Sequence, residues 1–125
     1  MKSFAILGAV AALLAVIFGA LGAHALKEIL SASQLSAFHT AVSYQMYHGL
    51  ALLILALTPK LVPLKWAKIA GYFFVAGILL FSGSIYLLTL ANWFVVGPLT
   101  PIGGLCFMVG WGCLIVGLVK GTTNE

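Results

Sequence analysis

The densest group of side chains able to do chemistry lies between Phe38 and Leu50, where Tyr44 and Gln45 precede His48 by four and three positions. On a helix such residues share a face, here with Ala41 and Leu52. A neutral imidazole both donates and accepts, so His48 suits a proton-responsive or ligand-contacting role. The same groups equally suit a hydrogen-bond network that fixes helix register. His48 falls near mid-span, His24 and His39 near the outer boundary, and Ser82, Ser84, Tyr86 and Thr89 in the outer half, where Thr100 is placed to cap the group. Together, His24, His39, Tyr44, Gln45, His48, Ser82, Ser84 and Thr100 form the expected polar cluster, with the glycine pair Gly103-Gly104 beside it.

The rest of the inventory removes several chemistries. Glu28 and Glu125 are the only acids, and both fall outside the apolar runs. Catalysis by paired carboxylates is therefore excluded, and the usual ion-coupling carboxylate of a transporter is missing. His39 and His48 are about 13 Å apart along a helix, and neither has a second histidine or a carboxylate one turn away. No metal site is expected, no cofactor and no catalytic residue. A Ser82–His48 pair has neither a nucleophile motif around the serine nor an orienting acid. Cys106 and Cys113 fall in one predicted helix about 10 Å apart, too far to bond to each other. Enzyme activity is not expected.

These side chains must be positioned by very apolar elements. The chain has 125 residues, of which 63% are hydrophobic and 6% charged, more apolar surface than a soluble domain of this size can hide. Four runs, residues 4–26, 38–58, 67–90 and 102–119, are nearly free of charge. At about 1.5 Å per residue each comes close to or exceeds the length needed to cross a hydrocarbon core of about 30 Å as a helix. Period-2 alternation is absent, so barrel strands are not expected. The expectation is an all-α integral membrane protein, a four-helix antiparallel bundle making one domain over residues 1–125. Ser31 and Gln34 have capping-box spacing, which allows the second helix to start near Ala32. Thr58-Pro59 ends that helix, Ala91-Asn92-Trp93 ends the third, and Gly97 to Pro101 leads into the fourth. Gly121 to Glu125 reads as a frayed tail.

Charge sets orientation. Lys2, Lys60, Lys65, Lys68 and Lys120 collect on one side of a four-span chain, and Lys27 stands alone on the other. By the positive-inside rule both termini face the cytoplasm. The net charge of +4 thus reads as a topology signal, not as a nucleic-acid surface. The lysines also suit anionic headgroups. Lys2, the apolar run and Ala23-His24-Ala25 resemble a cleaved secretory signal, but a run of about twenty residues exceeds a signal core of about 7–15. Cleavage is not expected.

Small residues mark where helices touch. Ala11, Ala15, Gly19 and Ala23 recur every four positions in the first helix; Gly103, Cys106, Gly110, Cys113 and Gly117 recur at threes and fours in the last. In lipid, close backbone approach supplies much of helix association, so both stripes are expected to be packing seams, with the cysteines as small packing residues. Trp111 lies off the second seam, and its indole N–H is expected to find a neighbouring helix.

Several short stretches, in order, resemble a known family. They are Gly19 to His24, Tyr44 to His48, Phe81-Ser82-Gly83-Ser84, Thr100 to Gly104 and Gly110-Trp111. The chain is similar throughout to the YgdD and YwdK family of small membrane proteins, whose domain has no assigned function. The resemblance implies four helices in a bacterial plasma (inner) membrane, and it brings no catalytic or binding residue. The leading expectation is a non-enzymatic component of membrane integrity or of a larger assembly. Its partners would be membrane lipid, further copies of itself or another membrane protein. The rivals are a small proton- or solute-translocating unit built on the polar cluster, and a lipid- or quinone-binding cleft.

Overall fold

The computed structural model describes residues 1–121 and contains only helices and turns among them. Residues 122–125, which include most of the expected tail and Glu125, lie outside the described residues. Four helical rods are long and apolar enough to cross a membrane. The first is α1 (Lys2–Ala23) and the second α2 (Ala32–Leu57). The third runs from α3 (Leu64–Gly77) through a π-helical turn (Ile78–Ser82) into α4 (Gly83–Leu90). The fourth is α5 (Leu99–Gly121).

Local chemistry explains the ends. At Ala23 the first helix stops three residues short of the expected Leu26, and the chain passes into a 3-10 turn, Leu26–Glu28. The next rod begins where Ser31 and Gln34 close a reciprocal capping box: Gln34 N–H donates to Ser31 Oγ (3.2 Å) and Ser31 N–H to Gln34 Oε1 (3.0 Å). Pro63 caps α3, so the third rod starts at Leu64 and not at Ala67. α5 starts at Leu99, ahead of the expected Ile102, because Pro101 stands in the first turn, where a missing N–H costs no helical bond. Among the described residues, Asn92 is the one non-glycine residue with positive φ, 53°. That turn lets the Trp93 N–H return to the Leu87 carbonyl (3.1 Å).

Register fixes the topology. Between α1 and α2, Gly8 faces Gly49, Gly19 faces Val42 and Gly22 faces Phe38, so the two run antiparallel. α2 and the third rod pair His48 with Phe74, Tyr44 with Phe81 and Phe38 with Tyr86, again antiparallel. The third rod and α5 bring Trp66 to Gly117, Phe74 to Gly110, Gly77 to Phe107 and Phe81 to Gly103. Lys2, Lys60, Lys65, Lys68 and Lys120 therefore share one end of the bundle, and Lys27 lies at the other. α2 and the third rod form the centre, flanked by α1 and α5.

The first seam differs from its sequence expectation. Phe4, Gly8, Ala11, Ala15 and Gly22 are buried, Gly19 is half-buried, and Ala23 is exposed. A strict four-residue repeat advances about 400° per step and drifts off a straight helix face, whereas mixed threes and fours stay on it. Gly8 is the residue the four-residue count passes over, and a Cβ there would lie 2.5 Å from the Gly49 carbonyl oxygen. On α5 the buried residues are Gly103, Phe107, Gly110 and Gly117, with Cys106 and Cys113 half-buried at the flanks.

Candidate functional site

Helix α2 passes its polar residues to two different neighbours. His48 is 3% exposed and makes two hydrogen bonds. Its Nδ1 lies 2.7 Å from the Tyr44 carbonyl oxygen, one turn back in the same helix. A carbonyl only accepts, so Nδ1 carries the hydrogen. The indole Nε1–H of Trp111 on α5 donates to His48 Nε2 at 3.0 Å. An indole only donates, so Nε2 is the bare nitrogen. One neutral tautomer satisfies both contacts, and each ring nitrogen is in use.

Aromatic rings enclose this imidazole. Phe107 stacks on it at 3.6 Å between centroids and 11° between planes. Phe74 lies at 5.5 Å, and Trp111 packs on Phe74 at 4.9 Å. Gly77 and Gly110 make room: a Cβ on Gly77 would fall 2.3 Å from the Phe107 ring, and one on Gly110 2.7 Å from the Phe74 ring. Tyr44 covers the site from its rim, 40% exposed, with its ring 6.0 Å from that of His48.

Gln45 turns the other way. Its Nε2 donates to the Ala11 carbonyl of α1 (2.9 Å), and its Oε1 accepts from the Tyr86 hydroxyl of α4 (2.6 Å). One amide thereby ties three rods together. Ser82, completely buried at the end of the π turn, donates to the Ala41 carbonyl at 2.7 Å. The π turn itself is closed by the Gly83 N–H bonding the Ile78 carbonyl. Its Phe81 backbone lies against Gly103, where a Cβ would sit 2.3 Å from the Phe81 nitrogen. Ser84 bonds the Phe81 carbonyl (3.0 Å) and the Thr100 hydroxyl.

The expected single cluster is thus a set of separate fasteners. Tyr44, Gln45 and His48 share one helix, but only Gln45 and His48 are buried, and they bond to opposite flanks. Ser82 meets a backbone carbonyl and not His48. Ser84 and Thr100 pair with each other. His24, at the end of α1, and His39 are both exposed and stand apart from the buried groups. Sequence reasoning left Trp111, Phe107, Phe74 and the Ala11 carbonyl outside the polar site. The signal that pointed to Trp111 was its mid-span position, unusual for a residue that favours interfaces. No group of three or more histidines, cysteines and acids able to hold a metal occurs among the described residues.

These features define a small four-span helical membrane protein held together by side-chain-to-backbone bonds and glycine contacts. Comparison with known proteins agrees. The chain belongs to the family described as "Protein of unknown function (DUF423)", which matches residues 18–104. It is 45% identical to the UPF0382 membrane protein YwdK of Bacillus subtilis (strain 168) over 96% of this chain and 98% of the relative. It is 47% identical to a UPF0382 membrane protein of Staphylococcus aureus (strain bovine RF122 / ET3-1), over 96% and 98% of the two chains. A Staphylococcus saprophyticus relative is 45% identical over 96% and 99%. No solved structure matches the chain.

Proposed function

We propose that this protein is a non-catalytic bundle of the bacterial plasma membrane, with both termini in the cytoplasm, that supports membrane integrity or a larger assembly through helix–helix and lipid contacts. One observation carries the reading. Among the described residues, no buried side-chain nitrogen or oxygen lacks a hydrogen-bond partner within the chain. A site that handles protons or solute in the bilayer needs polar groups to offer, and here the buried ones are engaged within or between the rods. In particular, both nitrogens of His48 are engaged. The lysine-rich end supports the orientation, because positive charge accumulates on the cytoplasmic side.

Purified protein in liposomes is expected to pass no proton or solute flux above that of empty vesicles. A flux that His48→Ala abolishes would overturn the proposal in favour of translocation. Cross-linking in native membranes is expected to give a reproducible partner or homo-oligomer. A strictly monomeric, unpartnered species would defeat the assembly role.

A further inference from the structure

The parallel rods α1 and α3–π–α4 touch through two aromatic clasps. Phe4 meets Tyr72 edge to face at 5.2 Å, and Phe18 meets Tyr86 in the same way at 5.0 Å. The clasps lie about 21 Å apart along each rod at 1.5 Å per residue. Between them the rods separate around a cleft of about 260 Å³, walled by Leu7, Leu14, Val75 and Leu79 and floored by Gln45 and Tyr86. We propose that this cleft holds the acyl chain of a membrane phospholipid, which enters sideways between the clasps.

Three features select that occupant. The first is the state of the polar floor. The Tyr86 hydroxyl already donates to Gln45, and one hydrogen of that amide goes to the Ala11 carbonyl. A buried water needs two to four polar partners, and a site of at least ~10–15 Å³ suffices for one; this cleft is far larger, and its only polar side chains, Gln45 and Tyr86, are bonded to each other among apolar walls. It selects hydrocarbon and not a polar headgroup or a quinone carbonyl.

The second is place. The cleft lies in the middle stretch of two apolar spans, where the surrounding medium is acyl chain. Its rim residues Leu7 and Leu79 are exposed to that medium.

The third is width. A helix with its side chains is about 10–12 Å across, too thick to enter between rods pinned by ring pairs at about 5 Å, so a second copy could cover the mouth without filling the cleft. Gly83 keeps the wall open: a Cβ there would come no closer than 4.0 Å to its nearest neighbour, the Ile78 carbonyl oxygen.

The inference gives a location to the lipid contacts of the proposed function and rests on that part of it. The full chain is reconstituted in phosphatidylethanolamine–phosphatidylglycerol vesicles containing a phospholipid with a diazirine near the acyl terminus, then photolysed and mapped by peptide mass spectrometry. Labelling of Leu14, Val75 and Leu79 is expected to exceed that of the exposed α5 residues Leu105 and Met108 several-fold, and to fall to their level in Gly83→Leu. Val75→Phe, which fills the same space from the wall, gives the same readout if Gly83→Leu does not accumulate. Equal labelling of cleft and α5 in the parent chain overturns the inference. So do labelling unchanged in the filled variants and cross-links joining cleft residues of two copies. An unlabelled cleft leaves the wider assembly role standing, whereas flux through His48 would sink that role without touching the labelling result.

Discussion

The pairing of His48 with Trp111 is a test of how much one hydrogen bond between spans contributes. Such bonds are worth about 0.6–1.7 kcal/mol in membranes, less than the apolar medium suggests, because an unfolded chain in lipid also finds partners. Trp111→Phe keeps most of the ring packing and leaves Nε2 bare. It is expected to destabilise the bundle by about 1 kcal/mol. A double-mutant cycle with His48→Phe, read by unfolding in mixed micelles, should return a coupling of about that size. A coupling near zero would mean that the stacked Phe107 ring and the Tyr44 carbonyl, not the indole, hold the imidazole in place. Gln45 should be more costly to lose, since Gln45→Leu strands both the Tyr86 hydroxyl and the side-chain contact to Ala11. The expected loss is about 1–3 kcal/mol, the cost of a buried unsatisfied group plus the lost bonds.

At the scale of elements, glycines divide into those that a neighbouring backbone forbids to change and those facing open space. Gly103→Ala would drive a methyl into the Phe81 backbone at the π turn, where the nearest atom is main chain and cannot swing away. It should either straighten the π turn or destabilise the third and fourth rods by roughly 1–3 kcal/mol, the usual cost of overpacking. Gly112→Ala meets nothing within 4 Å and should be neutral or stabilising by up to about 1 kcal/mol through helix propensity. Comparing the two variants by thermal unfolding in detergent separates packing from propensity. The start of α2 gives a third case. Ser31→Ala removes one half of the capping box and should cost about 1 kcal/mol, with amide exchange rising first at Gln34.

For the whole molecule, the proposed orientation rests on five lysines at one end set against Lys27 at the other. Replacing Lys60, Lys65 and Lys68 by alanine while adding lysines to the Asn92–Val95 turn is expected to produce a mixed or inverted population, read by reporter fusions at both termini. Unaltered orientation would show that something other than these charges decides insertion. The parent chain is expected to report both termini on the cytoplasmic side. Opposite locations for the two ends would contradict the even number of spans.

The number and length of the uncharged runs were enough to identify a four-span helical protein, since such runs have few solutions in lipid other than helices. Local signals were equally legible where the physics is local: Ser31 with Gln34 marked the start of α2, and Thr58-Pro59 its end. That Tyr44, Gln45 and His48 share one helix followed from counting residues. Their partners did not, because a hydrogen bond to a carbonyl such as that of Ala11 or Ala41 leaves no trace in residue identity. The π turn was hidden for a related reason. It shifts the face presented by every later residue of the third rod, and its Phe81 backbone packs on Gly103 of another rod, a contact that residue identity does not announce. Sequence thus determined which segments lie in the membrane and which end bears the charge, as these depend on transfer energies summed along the chain. Tertiary structure decided that Gln45 faces α1 and α4 while His48 faces α5, because the rotation and register of each rod are set by interlocking side chains.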